Sequence, residues 1–503
     1  MKLINRQQIR EADKYTIAHE PVASKDLMER AASCFTESLI PKIKKGQKIN
    51  VFCGKGNNGG DGLAVGRLLH QKGFDARIFI LEYSPEASED FSVNYDRILA
   101  LKKVPVTHLY SENDFPEIGS EEMIIDALWG TGLDRPIEGF SKEIIRRINS
   151  SGALIIAIDI ASGTFCDSYN HDPAKIRASH TLSFQLPKLA FLMPENHEYV
   201  GEWEILDIGL HEDFINGLDS PYQMTCEADA ASLLKTRNAF DHKGMFGHAL
   251  FIGGSFGKIG AAVLGTKACV KSGAGLVTAF IPRCGYDVMQ IAVPEAMVIS
   301  DHSQECITFV PELSAFNAIA FGPGAGQSKQ TELAFRELLV SCKVPLVIDA
   351  DGINLLASHK ELLEIFPAGC ILTPHIGEFD RFAGKSSDHF QRIEKALDLA
   401  LLYQAIIVIK GRYTAIVCPD GSVLFNSSGN PGMATGGSGD VLTGIILSLL
   451  AQHYTPKDAA ILGVYLHGLA GDLAAESMSA YCVTAGDIIE KLPAAFLQLM
   501  SYI

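Results

Sequence analysis

Short apolar runs alternate with helix-period stretches along most of this chain. In the first half the pattern predicts strands over 49–53, 76–81, 123–127 and 153–160, with helices over 63–71 and 142–148 between them. In the second half it predicts strands over 248–252, 276–281, 318–321, 346–348, 371–373 and 405–409. Strands that are apolar throughout are buried on both faces, and their alternation with helices predicts parallel sheets covered on both sides. A hairpin over 414–418 and 423–425 follows, turned by Pro419-Asp420-Gly421, where proline and glycine suit a tight reversal. Val441, Leu442, Ile445, Ile446, Leu449 and Leu450 then recur at period 3.6 and mark one face of a helix. The stretch 211–241 lacks a clear strand, so a boundary is expected near residue 225. The fold class is α/β, in two domains of 1–225 and 226–503.

The 503 residues are 47% hydrophobic and 20% charged, enough apolar material for two cores and too much for a disordered chain. Acidic residues outnumber basic ones by 59 to 43, a net charge of −16, so neither nucleic acid nor an anionic membrane is an expected partner. No two of the 11 cysteines stand at C-x-x-C spacing, which excludes a zinc ribbon or a redox dithiol and fits reduced thiols. The polar start MKLINRQQIREADKYTI is not a signal peptide, and 441–450 is half the ~20 residues a bilayer span needs. The expectation is a soluble, cytoplasmic protein.

The strand over 49–53 runs into Gly54-Lys55-Gly56-Asn57-Asn58-Gly59-Gly60-Asp61-Gly62, a loop whose glycines allow close approach to a ligand before a helix N-terminus. It is neither a P-loop nor a clean dinucleotide fingerprint. Asp126 ends one strand and is followed by Gly130-Thr131-Gly132-Leu133-Asp134-Arg135-Pro136; Asp159 ends another and is followed by Ala161-Ser162-Gly163. Each Asp alone suits a backbone cap, but three strand ends delivering Asn58, Asp126, Asp159 and Ser162 to one crevice point to a site. An all-oxygen set suits a hard cation.

These motifs resemble the NAD(P)H-hydrate epimerase domain, a Rossmann-like three-layer sandwich. The resemblance implies that Asn57, Asn58, Gly59, Gly60 and Asp61, the segment from Gly130, Thr131, Gly132 and Leu133 through Asp134, Arg135 and Pro136, and Asp159 bind the hydrated dinucleotide. It implies potassium on Asn58, Asp126 and Ser162, and makes Asp159 a candidate catalytic residue. Where the family usually reads Pro-Ser-Gly-Leu, this chain has Ala161-Ser162-Gly163-Thr164. Relatives of this domain also serve as non-catalytic scaffolds in messenger-RNA decapping.

The second half holds Asn430-Pro431-Gly432-Met433-Ala434-Thr435-Gly436-Gly437-Ser438-Gly439-Asp440 at the start of its period-3.6 helix. Gly436, Gly437 and Gly439 would expose amides at a positive helix end, an anion hole for a transferring phosphoryl group. Asp440 could take a proton from an attacking hydroxyl, and four small residues before it are more than a plain cap requires. Gly322-Pro323-Gly324, Thr373-Pro374-His375-Ile376-Gly377-Glu378 and Lys410-Gly411-Arg412-Tyr413-Thr414 stand at other strand ends. His375 is either a substrate contact or a structural histidine, and His467, in an Ala/Leu-rich helical stretch, reads as packing.

This half, with His242-Lys243-Gly244, is similar to the NAD(P)H-hydrate dehydratase branch of ribokinase-like folds, also three-layer sandwiches. The resemblance implies that Ala262, Gly324, His375 and Asp440 contact the hydrated cofactor. It implies that Lys410, Gly411, Arg412, Tyr413, Thr414 and Gly439 hold the nucleotide, ADP with Mg2+. Epimerase fused ahead of dehydratase resembles the bacterial bifunctional repair enzymes, and a homo-oligomer is expected. The alternatives are a small-molecule kinase with a non-catalytic first domain, and a first half that is an RNA-associated scaffold.

Overall fold

The computed structural model describes residues 1–502, and the chain divides into two compact units, Lys2–Ser220 and Pro221 onward with Met1. The first unit is built on seven strands: β1 (Lys48–Cys53), β2 (Asp75–Leu81), β3 (Val106–Leu109), β4 (Met123–Ala127), β5 (Leu154–Ile158), β6 (His180–Phe184) and β7 (Glu202–Leu206). Their order is β3-β2-β1-β4-β5-β6-β7, and every neighbouring pair is parallel. Within β1 the side chains alternate between two cores. Ile49, Val51 and Cys53 join Phe35, Leu63 and Leu69 on one face, while Phe52 joins Ile144 and Ile148 on the other. Helices therefore cover both faces. The apolar pattern did not reveal β3, β6 and β7, which carry His108, His180 and Glu202-Trp203-Glu204 among their residues.

The second unit holds ten strands: β8 (Tyr222–Thr225), β9 (His248–Ile252), β10 (Leu276–Ile281), β11 (Met297–Ser300), β12 (Ala318–Phe321), β13 (Leu346–Ile348), β14 (Ile371–Leu372), β15 (Ile406–Ile409), β16 (Ala415–Val417) and β17 (Val423–Asn426). The order is β11-β10-β9-β12-β13-β14-β15-β16-β17-β8. All pairs are parallel except β15 with β16 and β16 with β17, the hairpin that the turn signal predicted. The sequence places 222–225 in the first domain and sees no strand there. In the structure it is β8, paired with β17 in the second sheet, so the boundary falls at 220/221. Gln223 and Thr225 dilute its apolar pattern, and only the pairing to β17 identifies it.

The helix Ser438–Ala451 departs from the one-faced amphipath expected, because every residue from Val441 to Ala451 is buried. It is a central helix packed under β9, β12 and β13, not a surface one. The opposite sheet face is closed by Lys329–Ser341, whose Phe335 ring stacks on Phe321 at 4.4 Å. Seven of the 11 cysteines are buried and all are free. Among the described residues no helix is long and apolar enough to cross a membrane.

Two candidate active sites at strand ends

In the first sheet the strand order reverses between β1 and β4, which opens a crevice beyond their carboxyl ends. The loop expected over 54–62 is shorter than its composition suggests, because the helix Asn57–Gln71 begins at Asn57. Gly54 and Gly59 are required for closeness rather than for flexibility. A Cβ on Gly54 would stand 1.9 Å from the Leu128 carbonyl oxygen, and one on Gly59 would stand 1.8 Å from that of Gly54. The helix thus drops directly onto the strand ends and carries Asn58 and Asp61 with it.

Asp126, fully buried in β4, accepts from the Ser162 amide at 2.8 Å, the Ser162 hydroxyl at 2.6 Å and the Leu128 amide at 3.2 Å. Burial pushes its carboxyl up to about 6, with the Ser162 and Leu128 hydrogen bonds opposing. Trp129 N–H donates to Ser162 Oγ at 2.8 Å, and a Cβ on Gly130 would sit 3.2 Å from that of Asn58. Asn58, Asp126 and Ser162 are therefore neighbours. Asn58 Nδ2 is buried without a partner among the described residues, as is the Thr164 hydroxyl.

Asp159 lies just past β5 instead of inside a strand over 153–160, with φ +64°, a conformation that costs a non-glycine residue of order 1–3 kcal/mol. Ser183 Oγ and Phe184 N–H donate to its carboxylate at 3.2 and 3.0 Å, and Lys188 Nζ lies 2.7 Å away. Lys188, buried, also donates to the carbonyls of Phe184 and Leu186. Burial, then Asp159 and Asp13, raises the Asp61 carboxyl well above its ordinary range; burial and Asp159 bring Asp13 to about 6, with Lys188 opposing. Sequence reasoning missed Asp13 and Lys188. No motif marks either.

In the second sheet the reversal falls between β9 and β12. Gly253-Gly254 and Gly322-Pro323-Gly324 follow those strands, Asp349 follows β13, His375 follows β14 and Lys410 follows β15. Lys410 Nζ pairs with Asp349 at 2.9 Å and lies 3.1 Å from the place of a Cβ on Gly439. The other Asp349 oxygen accepts from Thr443 Oγ1 at 2.8 Å. Lys410 thus stands beside the first turn of Ser438–Ala451, next to Gly439. Gly437, the N-cap of Ser438–Ala451, has φ +90°, and its missing Cβ would collide with Leu264 at 2.5 Å. Asp440 sits in the first turn of that helix. Burial and then the Asp349 carboxylate push it up to about 7; Lys410 opposes, and Glu378 and Asp351 add.

Asp349-Ala350-Asp351 was not singled out in the sequence, yet Ala350 has φ +47° and Asp351 accepts from Gly326 N–H at 2.9 Å. His375 caps Ile376–Ala383: its Nδ1 accepts from Gly377 N–H at 3.0 Å, and its Nε2 lies 3.4 Å from a Glu378 carboxylate oxygen, on a ring that is still exposed. Both roles weighed for it are open to one side chain. His467 is not simple packing. Its Nε2 lies 3.2 Å from Ser438 Oγ, and burial, with Lys410 adding, lowers its pKa to about 4. Ala262 is fully buried against Gly254, so it offers a ligand closeness rather than exposed surface. Thr414 Oγ1 closes the 410–414 turn on the Gly411 carbonyl at 3.0 Å, and the Arg412 guanidinium lies 4.8 Å from the Tyr413 ring centroid. Gly411 and Gly436 are open, with no atom near the place of a Cβ. Among the described residues the cluster Glu332, His359 and Glu361 has metal-like spacing but shares no residue with either crevice.

Residues 24–190 match the family model described as the YjeF-related protein N-terminus, and residues 249–494 match the one described as NAD(P)H-hydrate dehydratase. The chain is 34% identical to the bifunctional NAD(P)H-hydrate repair enzyme Nnr of Moorella thermoacetica, over 98% of this chain and 96% of that relative. It is 33% identical to the protein of the same name in Thermofilum pendens, over 99% of this chain and 95% of that one. Among solved structures, a ribokinase-like superfamily protein of Enterococcus faecalis is 27% identical, with a TM-score of 0.50 over 56% of this chain and 98% of its own.

Proposed function

Because this chain belongs to the bifunctional NAD(P)H-hydrate repair enzymes, with an epimerase and a dehydratase in one polypeptide, we propose that its two crevices divide the work. The first interconverts the R and S forms of hydrated NADH and NADPH, and the second dehydrates the S form at the expense of ADP. The observation that carries the second assignment is Asp440, a carboxyl held near 7 in the first turn of a buried helix, beside Lys410 and a glycine N-cap.

Water added across the C5–C6 bond of reduced nicotinamide leaves a C6 hydroxyl, which is a poor leaving group. Asp440 removes its proton as the oxygen attacks the β-phosphorus of ADP, and AMP departs. The amides of Gly437 to Asp440 and the Lys410 ammonium receive the charge that develops on the phosphoryl oxygens. The ring nitrogen then expels phosphate from C6, and a proton leaves C5, which restores the dihydropyridine. The carboxylates of Asp349, Asp351 and Glu378 favour a cation here, and Mg2+ arriving with ADP supplies further charge neutralisation. Lys410 to Thr414 and Gly439 would hold the nucleotide, with Gly324 and His375 on the hydrated ring side.

In the first crevice, Asp61 is suited to give a proton to the departing C6 hydroxyl, and Asp159, held by Lys188, to take one from the returning water on the opposite face. The segment 130–136 and Asn57 to Asp61 would hold the dinucleotide. Asn58, Asp126 and Ser162 fit potassium: each can offer an oxygen, and Asp126 has no cationic partner among the described residues. When bound, the ion would neutralise Asp126 and tie the ends of β1 and β4 together. A cytoplasmic setting accords with the free, mostly buried thiols. A homo-oligomer belongs to the same reading and is checked by light scattering.

The test is incubation of the chain with chemically hydrated NADH, ADP and magnesium, following the return of reduced-nicotinamide absorbance. Recovery beyond the S fraction is expected. A stable phosphorylated product without recovery would make the second unit a kinase instead.

A further inference from the structure

The first helix, Arg6–His19, carries none of the glycine or carboxylate motifs, yet one of its faces lies on the crevice of the first unit. Arg6, Arg10 and Asp13 stand at i, i+4 and i+7, a single stripe of a helix. The helix start is fixed by Asn5, whose side chain accepts from the amides of Gln7 and Gln8. Arg6 then anchors the helix over the 130–136 segment: its guanidinium pairs with Asp134 at 3.0 Å, and its amide donates to Asp167 at 3.0 Å. At the far end of the stripe, Asp13 is close enough to Asp159 and Lys188 for both to act on its carboxyl.

Arg10 lies between these two anchors. Its Nη2 is 2.8 Å from the position a Cβ on Gly132 would take, so the absence of a side chain at 132 makes room for the guanidinium. Arg6 is neutralised by Asp134, but Arg10 makes no ion pair among the described residues and is exposed. An unpaired guanidinium held by a fixed helix at a crevice rim presents a planar fork of N–H donors, which matches two phosphate oxygens at once. In a crevice that otherwise gathers Asp13, Asp61 and Asp159, it is a cation at this rim, alongside the exposed Arg135 of the segment itself, that can offset an anionic ligand.

We propose that Arg10 is a substrate-binding residue of the first unit and takes a phosphate group of the hydrated dinucleotide lying along 130–136. This rests on the reading that 130–136 binds the dinucleotide. The bridging diphosphate and the ribose 2′-phosphate of the NADP form share the required chemistry.

The full chain without ADP interconverts epimers but cannot dehydrate them, so epimerisation is followed alone by chromatographic separation of R and S forms. Arg10→Ala should raise KM for the R epimer roughly 10- to 100-fold with little change in kcat, the size of a lost charge-assisted hydrogen bond pair. Arg10→Lys should recover part of the loss, and the melting temperature should not move, since Arg10 is exposed and unpaired. An equal rise for hydrated NADH and NADPH assigns the contact to the diphosphate; a rise confined to hydrated NADPH assigns it to the 2′-phosphate. Thr131→Trp, which fills the segment itself, separates the two ways of failing. If Arg10→Ala keeps the wild-type KM on both substrates while Thr131→Trp loses epimerisation, Arg10 is not a ligand and the segment reading stands. If both variants keep it, the segment reading falls as well.

Discussion

Lys410 and Asp349 are 61 residues apart in sequence and 2.9 Å apart in space, and their pair sits under the first turn of Ser438–Ala451. The consequence is electrostatic. Asp349 raises the Asp440 carboxyl and Lys410 lowers it, so the proton affinity of the proposed base depends on two strand ends at once. Asp349 is almost wholly buried and bonded by Thr443 as well, which fixes the arrangement before a ligand arrives.

Asp440→Asn is expected to slow dehydration of the S epimer by ~10²–10⁴-fold, the usual cost of a lost general base, and to leave epimerisation intact. With the wild-type carboxyl at about 7, kcat/KM should climb with pH and level off above that value. Stability runs the other way. The folded carboxyl binds its proton more tightly than the unfolded one, so its contribution is full below the ordinary value of 3.8 and is lost as pH rises through 7. The variant should therefore be more stable than wild type at pH 8, on the order of 2–4 kcal/mol, with the gap closing below pH 4. Denaturant titrations at both pH values check this, and a pH-independent gap contradicts it.

Lys410→Met removes the cation that holds Asp440 down, so the acid limb of the dehydration profile should move to higher pH. It also leaves Asp349 buried with Thr443 but no cation, a loss of roughly 3–5 kcal/mol for a broken buried pair. An unmoved limb would show that Asp440 is not the titrating base.

Replacing potassium by tetramethylammonium should slow epimerisation and lower the melting temperature of the first unit, with both restored by potassium. Asp126→Asn should abolish that sensitivity. Rates and melting curves indifferent to the exchange would leave Asn58, Asp126 and Ser162 as backbone caps.

Changes in separate sites without a shared partner act independently. Full-length Asp126→Ala, given mixed epimers with ADP and magnesium, should stop at the S fraction once spontaneous drift is subtracted. Adding full-length Asp440→Asn, which epimerises but does not dehydrate, should restart recovery. Failure of the mixture to exceed the sum of its parts would mean that the epimer is not released between the two reactions.

Gly54→Ala would place a Cβ 1.9 Å from a backbone carbonyl at the meeting of β1, β4 and Asn57–Gln71. Backbone on that side cannot move aside as a flexible side chain does, so a loss of ~3 kcal/mol or more is expected in the first unit. Gly56→Ala, two residues on and open to space, should be nearly neutral. Chemical denaturation of the two variants compares them directly.

Much of both crevices follows from local pattern. Buried parallel strands must be apolar end to end, so β1, β4, β9 and β12 stand out, and polar residues at their ends are conspicuous. Asp126 and Ser162 are legible on that ground. Asp349, one residue beyond β13, obeys the same rule and was available to it. Lys188 was not, because a lysine within Leu186-Pro187-Lys188-Leu189 looks like any solvated cation until β6 and β5 bring it to Asp159. β8 was hidden for a related reason: four mixed residues become a strand only by pairing with β17, about two hundred positions away.

The sequence by itself determined the strand-helix alternation, the two glycine-rich strand ends and the Asp440 motif, because each depends on residues adjacent in the chain. Only the tertiary structure decided how charges are balanced inside the crevices. It set Lys410 on Asp349, Lys188 on Asp159, and Arg10 unpaired beside Gly132. Coulomb interactions and desolvation depend on distance and burial in space, and neither quantity exists until the sheets have brought distant strand ends together.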